Sequence, residues 1–228
     1  MKKYEFTGET KQVGLFGNIT LKRIRATMEF GIIKIGDLGG WIEKEENLSH
    51  KGNAWVHDNA KVYDNAEVWG DAEVWGDAEV YGNANVCGDA KVYGDAKVYG
   101  NAKVWGDAKV YDNAEVWGDA KVYGNAKVYD NAEVWGDAKV YDNAEVFSIS
   151  HVLVIGPIGS RNDFTTFFRD KDSEITVKCG CFLGKIDKFL EKVCETHGDS
   201  KYAIVYRTAA EIAKQQIDLS EENNYEIK

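Results

Sequence analysis

The segment 115–129 has the sequence Glu-Val-Trp-Gly-Asp-Ala-Lys-Val-Tyr-Gly-Asn-Ala-Lys-Val-Tyr, and its six-residue period continues in both directions. Sixteen valines fall on every sixth residue from Val56 to Val146, and an alanine stands two residues before each of them. This alternation of apolar and polar residues predicts a short strand whose alanine and valine face inward. The Gly-Asp or Asp-Asn pairs that follow tolerate a left-handed backbone. Each hexad is therefore predicted to form one short strand and one corner.

A chain that turns by the same angle every six residues must coil, so the repeat predicts a solenoid. The pattern of an aliphatic residue, three variable residues and a small residue resembles the hexapeptide repeat of left-handed parallel β-helix proteins, in which three hexads form one coil. We therefore expect a mainly β fold, with handedness taken from the resemblance. In this chain Tyr or Trp directly follows the valine, where those families often carry glycine.

Coils of eighteen residues place the residues that follow the valines in three outward columns, most of them aromatic. Stacked rings would shield the backbone at the corners. A contiguous exposed apolar surface of this kind also indicates a contact surface. The candidate binding residues in these columns are Trp75, Tyr93, Tyr111, Trp117 and Trp135.

Charge separates the repeat from its flanks. The chain of 228 residues carries a formal net charge of −10, and segment 54–147 accounts for all of it, with eighteen Asp and Glu against eight Lys. A phosphate backbone needs clustered Lys and Arg, so we expect no direct nucleic-acid binding by the solenoid. An acidic rod could instead occupy a nucleic-acid-binding groove of another protein. With no long apolar run and no signal pattern, we expect a cytoplasmic protein without a membrane segment.

The flanks predict three regions: an N-terminal β cap over 1–50, the β-helix over 51–150, and a small α+β region over 151–228. Ile42 and Leu48 already keep the six-residue spacing, but Val56 follows at eight, which predicts a two-residue insertion. Val152 and Ile158 keep the spacing, so we expect the solenoid to fade gradually into the last region. A β-hairpin and two helices, 186–196 and 201–217, are predicted beyond it.

Several motifs outside the repeat resemble hexapeptide-repeat proteins of bacteriophages and prophages. They are Leu38-Gly39-Gly40-Trp41-Ile42-Glu43, Gly156-Pro157-Ile158-Gly159-Ser160-Arg161-Asn162, Gly180-Cys181-Phe182 and Thr196-His197-Gly198-Asp199. The resemblance covers nearly the whole chain and implies a bacterial host cytoplasm, but it implies no established activity.

Candidate chemistry outside the repeat lies in the last region. Ser160, Arg161 and Asn162 follow a glycine-rich turn, where amides, a hydroxyl and a guanidinium could hold an anion, although an ordinary turn has the same composition. A Cys-x-Cys pair followed after twelve residues by a Cys-x-x-His pair has the residue types of a four-ligand zinc site, but Cys-x-Cys is tighter than the usual spacing. The residues of this less favoured metal site are Cys179, Cys181, Cys194 and His197. We expect no cofactor.

Three function classes remain open. The favoured hypothesis is a non-enzymatic binding protein, in which a rigid prism presents its ends to a host protein or small ligand, for example to inhibit a bacterial defence system. The first alternative is a hexapeptide-repeat acyltransferase, which would need a catalytic histidine at a groove between prisms. Against it, the coils from Ala54 to Phe147 carry no inserted loop, and His57 is the only histidine on a regular coil, so no catalytic residue is proposed. The second is a structural virion or assembly component. Trimerisation is expected by analogy, and His50, His57 and His151 are not spaced for a trimeric carbonic anhydrase.

Overall fold

A computed structural model describes residues 2–14 and 16–220 of the chain. Three antiparallel strands open the fold: β1 (Tyr4–Val13), β2 (Ile19–Ala26) and β3 (Leu38–Ile42). The cap residues Tyr4, Ile24 and Ile42 are buried against the first coil, so the apolar start of the solenoid is covered. The expected N-terminal β structure is confirmed.

The repeat forms a β-solenoid of about six turns whose short strands stack in three parallel sheets. Their bounds are β4 Trp55–Val56, β5 Lys61–Val62, β6 Glu67–Val68, β7 Glu73–Val74, β8 Glu79–Val80, β9 Asn85–Val86, β10 Lys91–Val92, β11 Lys97–Val98, β12 Lys103–Gly106, β13 Lys109–Val110, β14 Glu115–Val116, β15 Lys121–Gly124, β16 Lys127–Val128, β17 Glu133–Val134, β18 Lys139–Val140 and β19 Glu145–Val146. Every third strand is a neighbour in space, which confirms the eighteen-residue coil.

Backbone hydrogen bonding explains why the coils stack in register. Amides of one coil donate to carbonyl oxygens of the next, as from Trp117 N to Val134 O at 3.0 Å. The valines and alanines of the repeat fill the interior with almost no exposed surface. Corners are made by glycine or aspartate at positive φ, for example Gly118 at 73° and Asp112 at 57°. The mainly β solenoid predicted from the period is therefore confirmed, and its handedness stays a prediction.

The first turn of the solenoid contains the insertion. Ile42 pairs with Val62 and Leu48 with Val68, both twenty residues apart, whereas Val56 pairs with Val74, eighteen apart. The two extra residues therefore lie between Leu48 and Val56, as the spacing predicts.

The last region is an antiparallel sheet covered by two helices. Its elements are β20 Val152–Ile158, β21 Asp163–Arg169, β22 Ile175–Cys179, β23 Phe182–Lys185, α1 Ile186–His197 and α2 Lys201–Gln216, and 3-10 turns cover Glu45–Asn47 and Ile149–His151. Val152 and Ile158 keep the six-residue spacing but do not form a further coil, because β20 pairs antiparallel with β21. After Ala144, Ser150 and Gly156 take the place of the hexad alanine, and Val152 pairs with Phe168 instead of with another coil.

Contacts between the last coil and the antiparallel sheet cover only part of the solenoid's end. Lys139 N donates to Thr166 Oγ1 at 3.0 Å, and Lys171 N donates to Asn143 O at 3.0 Å. Lys139 begins β18 and Asn143 precedes β19, whereas β17, the last strand of its own sheet, takes part in neither contact. Neither helix in the described part of the chain is long and apolar enough to span a membrane.

Candidate functional site

Three neighbouring side chains on the second and third coil corners combine burial with unused hydrogen-bonding capacity. His57 Nε2, Glu73 Oε2 and Trp75 Nε1 are each buried and have no hydrogen-bond partner within the described residues. Buried polar atoms in folded proteins are normally paired, so a group of them in one place calls for an explanation. We take this His57 cluster as the candidate functional site.

Register brings the cluster together. Val56 of β4 pairs with Val74 of β7, so the residues that follow them, His57 and Trp75, lie one above the other outside the prism. Their rings stack with centroids 4.0 Å apart and planes 18° apart. Glu73 Oε2 lies 2.8 Å from Lys91 Nζ of the next coil, close enough for an ion pair although the geometry does not satisfy a hydrogen bond.

The electrostatics hold the imidazole of His57 in its neutral form near pH 7. Burial lowers the pKa of His57 below its usual value, and this effect outweighs the charges of Glu73 and Asp58, which raise it. The charge of Lys91 lowers it further. A neutral imidazole can accept a proton, so His57 is chemically suited to act as a general base.

A groove of about 380 Å³ adjoins the cluster on the far side of Trp75. The residues that line it are Trp75, Gly76, Lys91, Tyr93, Gly94 and Lys109. Lys109 forms no ion pair within the described chain, whereas Lys91 is held by Glu73. Two ammonium groups beside aromatic rings suit a ligand that combines negative charge with apolar surface.

The other histidines have structural surroundings. His50 Nδ1 accepts a hydrogen bond from Lys3 N at 3.3 Å, which leaves the proton on Nε2. His151 is 2% exposed, its Nδ1 accepts from Phe147 N at 3.3 Å, and burial lowers its pKa to about 4. His197 ends α1 and stacks on Tyr206 with centroids 5.7 Å apart.

The aromatic columns form the predicted stacks over part of their length, whereas Tyr123 and Tyr141 meet edge to face. Tyr93 and Tyr111 stack at 4.8 Å, and Trp117 and Trp135 at 5.6 Å. Trp135 is the most exposed of the five candidate residues, at 51%. Their use as a contact surface stays a prediction.

The Ser160, Arg161 and Asn162 segment is the turn between β20 and β21 rather than a helix start. Asn162 adopts a positive φ of 49°, and Arg161 Nη2 lies 3.7 Å from Cys181 Sγ. All three side chains are exposed. Anion binding at this turn stays a prediction.

The four candidate zinc ligands have separate surroundings. Cys179 Sγ accepts a hydrogen bond from Thr165 Oγ1 at 3.3 Å, and Cys194 is exposed on α1. Cys181 lies beside Arg161, and His197 stacks on Tyr206. Among residues 2–14 and 16–220, no group of three or more His, Cys, Asp or Glu side chains is placed to hold a metal ion.

Reasoning from the sequence proposed no catalytic residue: it noted His57 only as an argument against an acyltransferase, and it missed Glu73 and Lys91. The signal that could have found them is the coil length, because residues sixteen and thirty-four positions after His57 fall beside it on the next two coils. The lysine and glutamate of each hexad otherwise look interchangeable.

No family model matches the chain. A segment of it is 33% identical over 63 residues to the "Uncharacterized acetyltransferase YdcK" of Escherichia coli (strain K12), a match that covers 25% of this chain and 19% of the relative. The chain thus spans about a fifth of the length of the curated relative that it matches. The prediction that this chain is not an enzyme is corrected by this match, because the relative is named as an acetyltransferase and a hexapeptide-repeat β-helix is typical of acyltransferases.

Proposed function

We propose that this protein transfers an acyl group from a thioester donor to a hydroxyl or amine acceptor, with His57 as the general base. The observation that carries the proposal is the His57 cluster, where the Nε2 of a neutral imidazole and an indole N–H are buried without hydrogen-bond partners beside a carboxylate that Lys91 pairs. The hexapeptide-repeat fold and the name of the E. coli relative support acyl transfer as the reaction.

The chemistry requires one proton to move twice. His57 takes the proton of the acceptor as the acceptor's oxygen or nitrogen attacks the thioester carbonyl carbon. The C–S bond then breaks, and the imidazolium passes the proton to the departing thiolate, so the acyl group ends on the acceptor, the acceptor's proton ends on the thiol, and His57 is neutral again. The charge of Glu73 stabilises the transient imidazolium, and Lys91 keeps that carboxylate in place beside the ring.

The groove beside Trp75 is the proposed binding site of the thioester donor. Lys91 and Lys109 supply positive charge for an anionic donor such as a coenzyme A thioester, and Trp75 and Tyr93 supply apolar surface. Trp75 both lines this groove and stacks on His57, so the donor would lie next to the ring that covers the proposed base.

The test measures thiol release from acetyl-coenzyme A with a panel of amino sugars, polyamines and sugars, and identifies acetylated products by mass spectrometry. His57→Asn should lower the rate by roughly a hundredfold or more, as expected for the loss of a general base. His50→Asn is the matched control and should retain the rate. No transfer by the unchanged protein, or equal rates for both variants, would contradict the proposal.

A further inference from the structure

One of the three aromatic columns, here called the Trp135 column, ends in Trp135, and within the described residues only one face of that indole is covered by another ring. The rings of this column stack in chain order along one edge of the prism and are Tyr63, Tyr81, Tyr99, Trp117 and Trp135. Trp117 covers one face of Trp135, with the two ring planes 16° apart. Since β17 is the last strand of its sheet, no further coil supplies a ring for the other face. This explains why Trp135 is 51% exposed.

A cavity of about 530 Å³ lies at that open end, between the solenoid and the antiparallel sheet. Its lining includes Trp135 on the solenoid side and Ile149, Leu153, Val154 and Phe164 on the other. Most of its surface is therefore apolar, with one aromatic ring available for stacking. A cavity of this size holds a small organic molecule.

The charged side chains that line the cavity are both negative, and Gln216 adds a neutral amide. Glu133 and Asp137 line it, and no Lys or Arg is among its described lining residues. Glu133 lacks the partner that its column neighbours have, since Glu79 pairs with Lys61 and Glu115 with Lys97. Neither Glu133 nor Asp137 forms an ion pair within the described chain.

From these contacts we infer that this cavity binds a small organic cation, an amine with an aromatic or aliphatic body, which packs on the uncovered face of Trp135 at the end of the Trp135 column. The ammonium group lies toward Glu133 and Asp137, and the apolar body lies against Trp135, Leu153 and Phe164. The body gains by stacking on the indole, and the two carboxylates attract the ammonium group more strongly in a partly enclosed site than in bulk water. The site is at the opposite end of the solenoid from His57 and does not depend on acyl transfer.

The chain provides its own control for this inference. The pentapeptide Glu-Val-Trp-Gly-Asp occurs at 67–71, 73–77, 115–119 and 133–137, so only position in the fold distinguishes the last copy. Residues 67–71 lie on another face near the start of the solenoid. Equivalent substitutions at 67–71 and 133–137 therefore separate a local site from general attraction to an acidic, aromatic surface.

The experiment titrates the purified chain with tryptamine by isothermal titration calorimetry, in parallel with 3-indolepropionate, which replaces the ammonium group with a carboxylate. Saturable tryptamine binding is expected, weakened about tenfold or more by Trp135→Leu and by Glu133→Gln with Asp137→Asn. The equivalent variants Trp69→Leu, and Glu67→Gln with Asp71→Asn, should leave it unchanged. Circular dichroism checks that each variant is folded. If Trp135→Leu fails to fold, the Glu133→Gln with Asp137→Asn variant, which keeps Trp135, still tests the site.

Three results would overturn the inference. One is the absence of saturable tryptamine binding up to about 5 mM, near the weak end of specific affinity. Another is equal weakening by the 67–71 and 133–137 variants. The third is equal affinity for 3-indolepropionate, since that outcome would mean that the carboxylates of Glu133 and Asp137 do not select the ligand.

Discussion

Lys3 Nζ donates a hydrogen bond to the carbonyl oxygen of Ala54 at 2.6 Å, and it lies 3.4 Å from the carbonyl oxygen of Gly52. Each coil's carbonyls accept from the coil before it, so the first coil has no earlier amides to supply donors. Lys3 takes that role with 1% of its surface exposed, and burial lowers its pKa to about 8. One side chain thus closes part of the open end of the solenoid.

Lys3→Met should destabilise the fold by about 2 to 3 kcal/mol, because it leaves buried carbonyls unpaired while it keeps the apolar stem. Thermal unfolding followed by circular dichroism measures the change. Lys2→Met is the control, since Lys2 forms only an exposed pair with Glu45 and should cost less than about 1 kcal/mol. Equal losses for Lys2 and Lys3 would show that the buried hydrogen bonds are not the cause.

Alanine at Gly118 and at Gly136 should have different costs although the two positions have the same local sequence. Both adopt positive φ, 73° and 64°, which costs an L-residue about 1 kcal/mol. A Cβ at Gly118 would also lie 2.9 Å from Gly136 N of the next coil, whereas a Cβ at Gly136 meets no atom within 4 Å. Denaturant unfolding should therefore show a larger loss for Gly118→Ala. A larger loss for Gly136→Ala would contradict this account of the coil spacing.

The solenoid could be predicted from the sequence because each hexad repeats the same local choice. Valine and alanine at fixed spacing leave one arrangement in which both are buried, and Gly118 or Asp112 mark where the backbone must turn. Even the irregular first turn follows from the eight-residue step between Leu48 and Val56.

The end of the solenoid and the sites could not be predicted, because there the same residues have different surroundings. Val152 keeps the spacing of the repeat but pairs antiparallel with Phe168, a contact that depends on a strand further along the chain. Four identical pentapeptides include one, 133–137, whose tryptophan opens into a cavity. The six-residue period describes only what the coils have in common. It cannot predict differences in burial and contacts that arise from the segments packed against each coil.

His151 should make the protein sensitive to acid. Its pKa falls from 6.5 to about 4 in the folded chain, chiefly through burial and then through the charge of Arg169. Between these pH values the unfolded chain binds a proton that the folded chain does not, so stability is complete above pH 6.5 and falls as the pH drops toward 4. The full loss is about 3 kcal/mol.

His151→Asn keeps a short polar side chain near Phe147 N but removes the titrating group. Urea unfolding of both proteins from pH 7.5 to 4 should show that the unchanged protein loses about 3 kcal/mol more than the variant over this range. Parallel pH curves for the two proteins would rule out His151 as the source of acid sensitivity.

The pKa of His57 should respond in opposite directions to its two charged neighbours. The charge of Glu73 raises it and that of Lys91 lowers it, so Glu73→Gln should lower the pKa and Lys91→Met should raise it. An NMR titration of the imidazole measures both shifts without any assay of activity. If His57 is the base, the acidic limb of the acyl-transfer rate should move with them, since only the neutral ring accepts a proton. Glu67→Gln changes the equivalent residue on another face and should move neither, whereas a raised pKa in Glu73→Gln would contradict the proposed arrangement of the cluster.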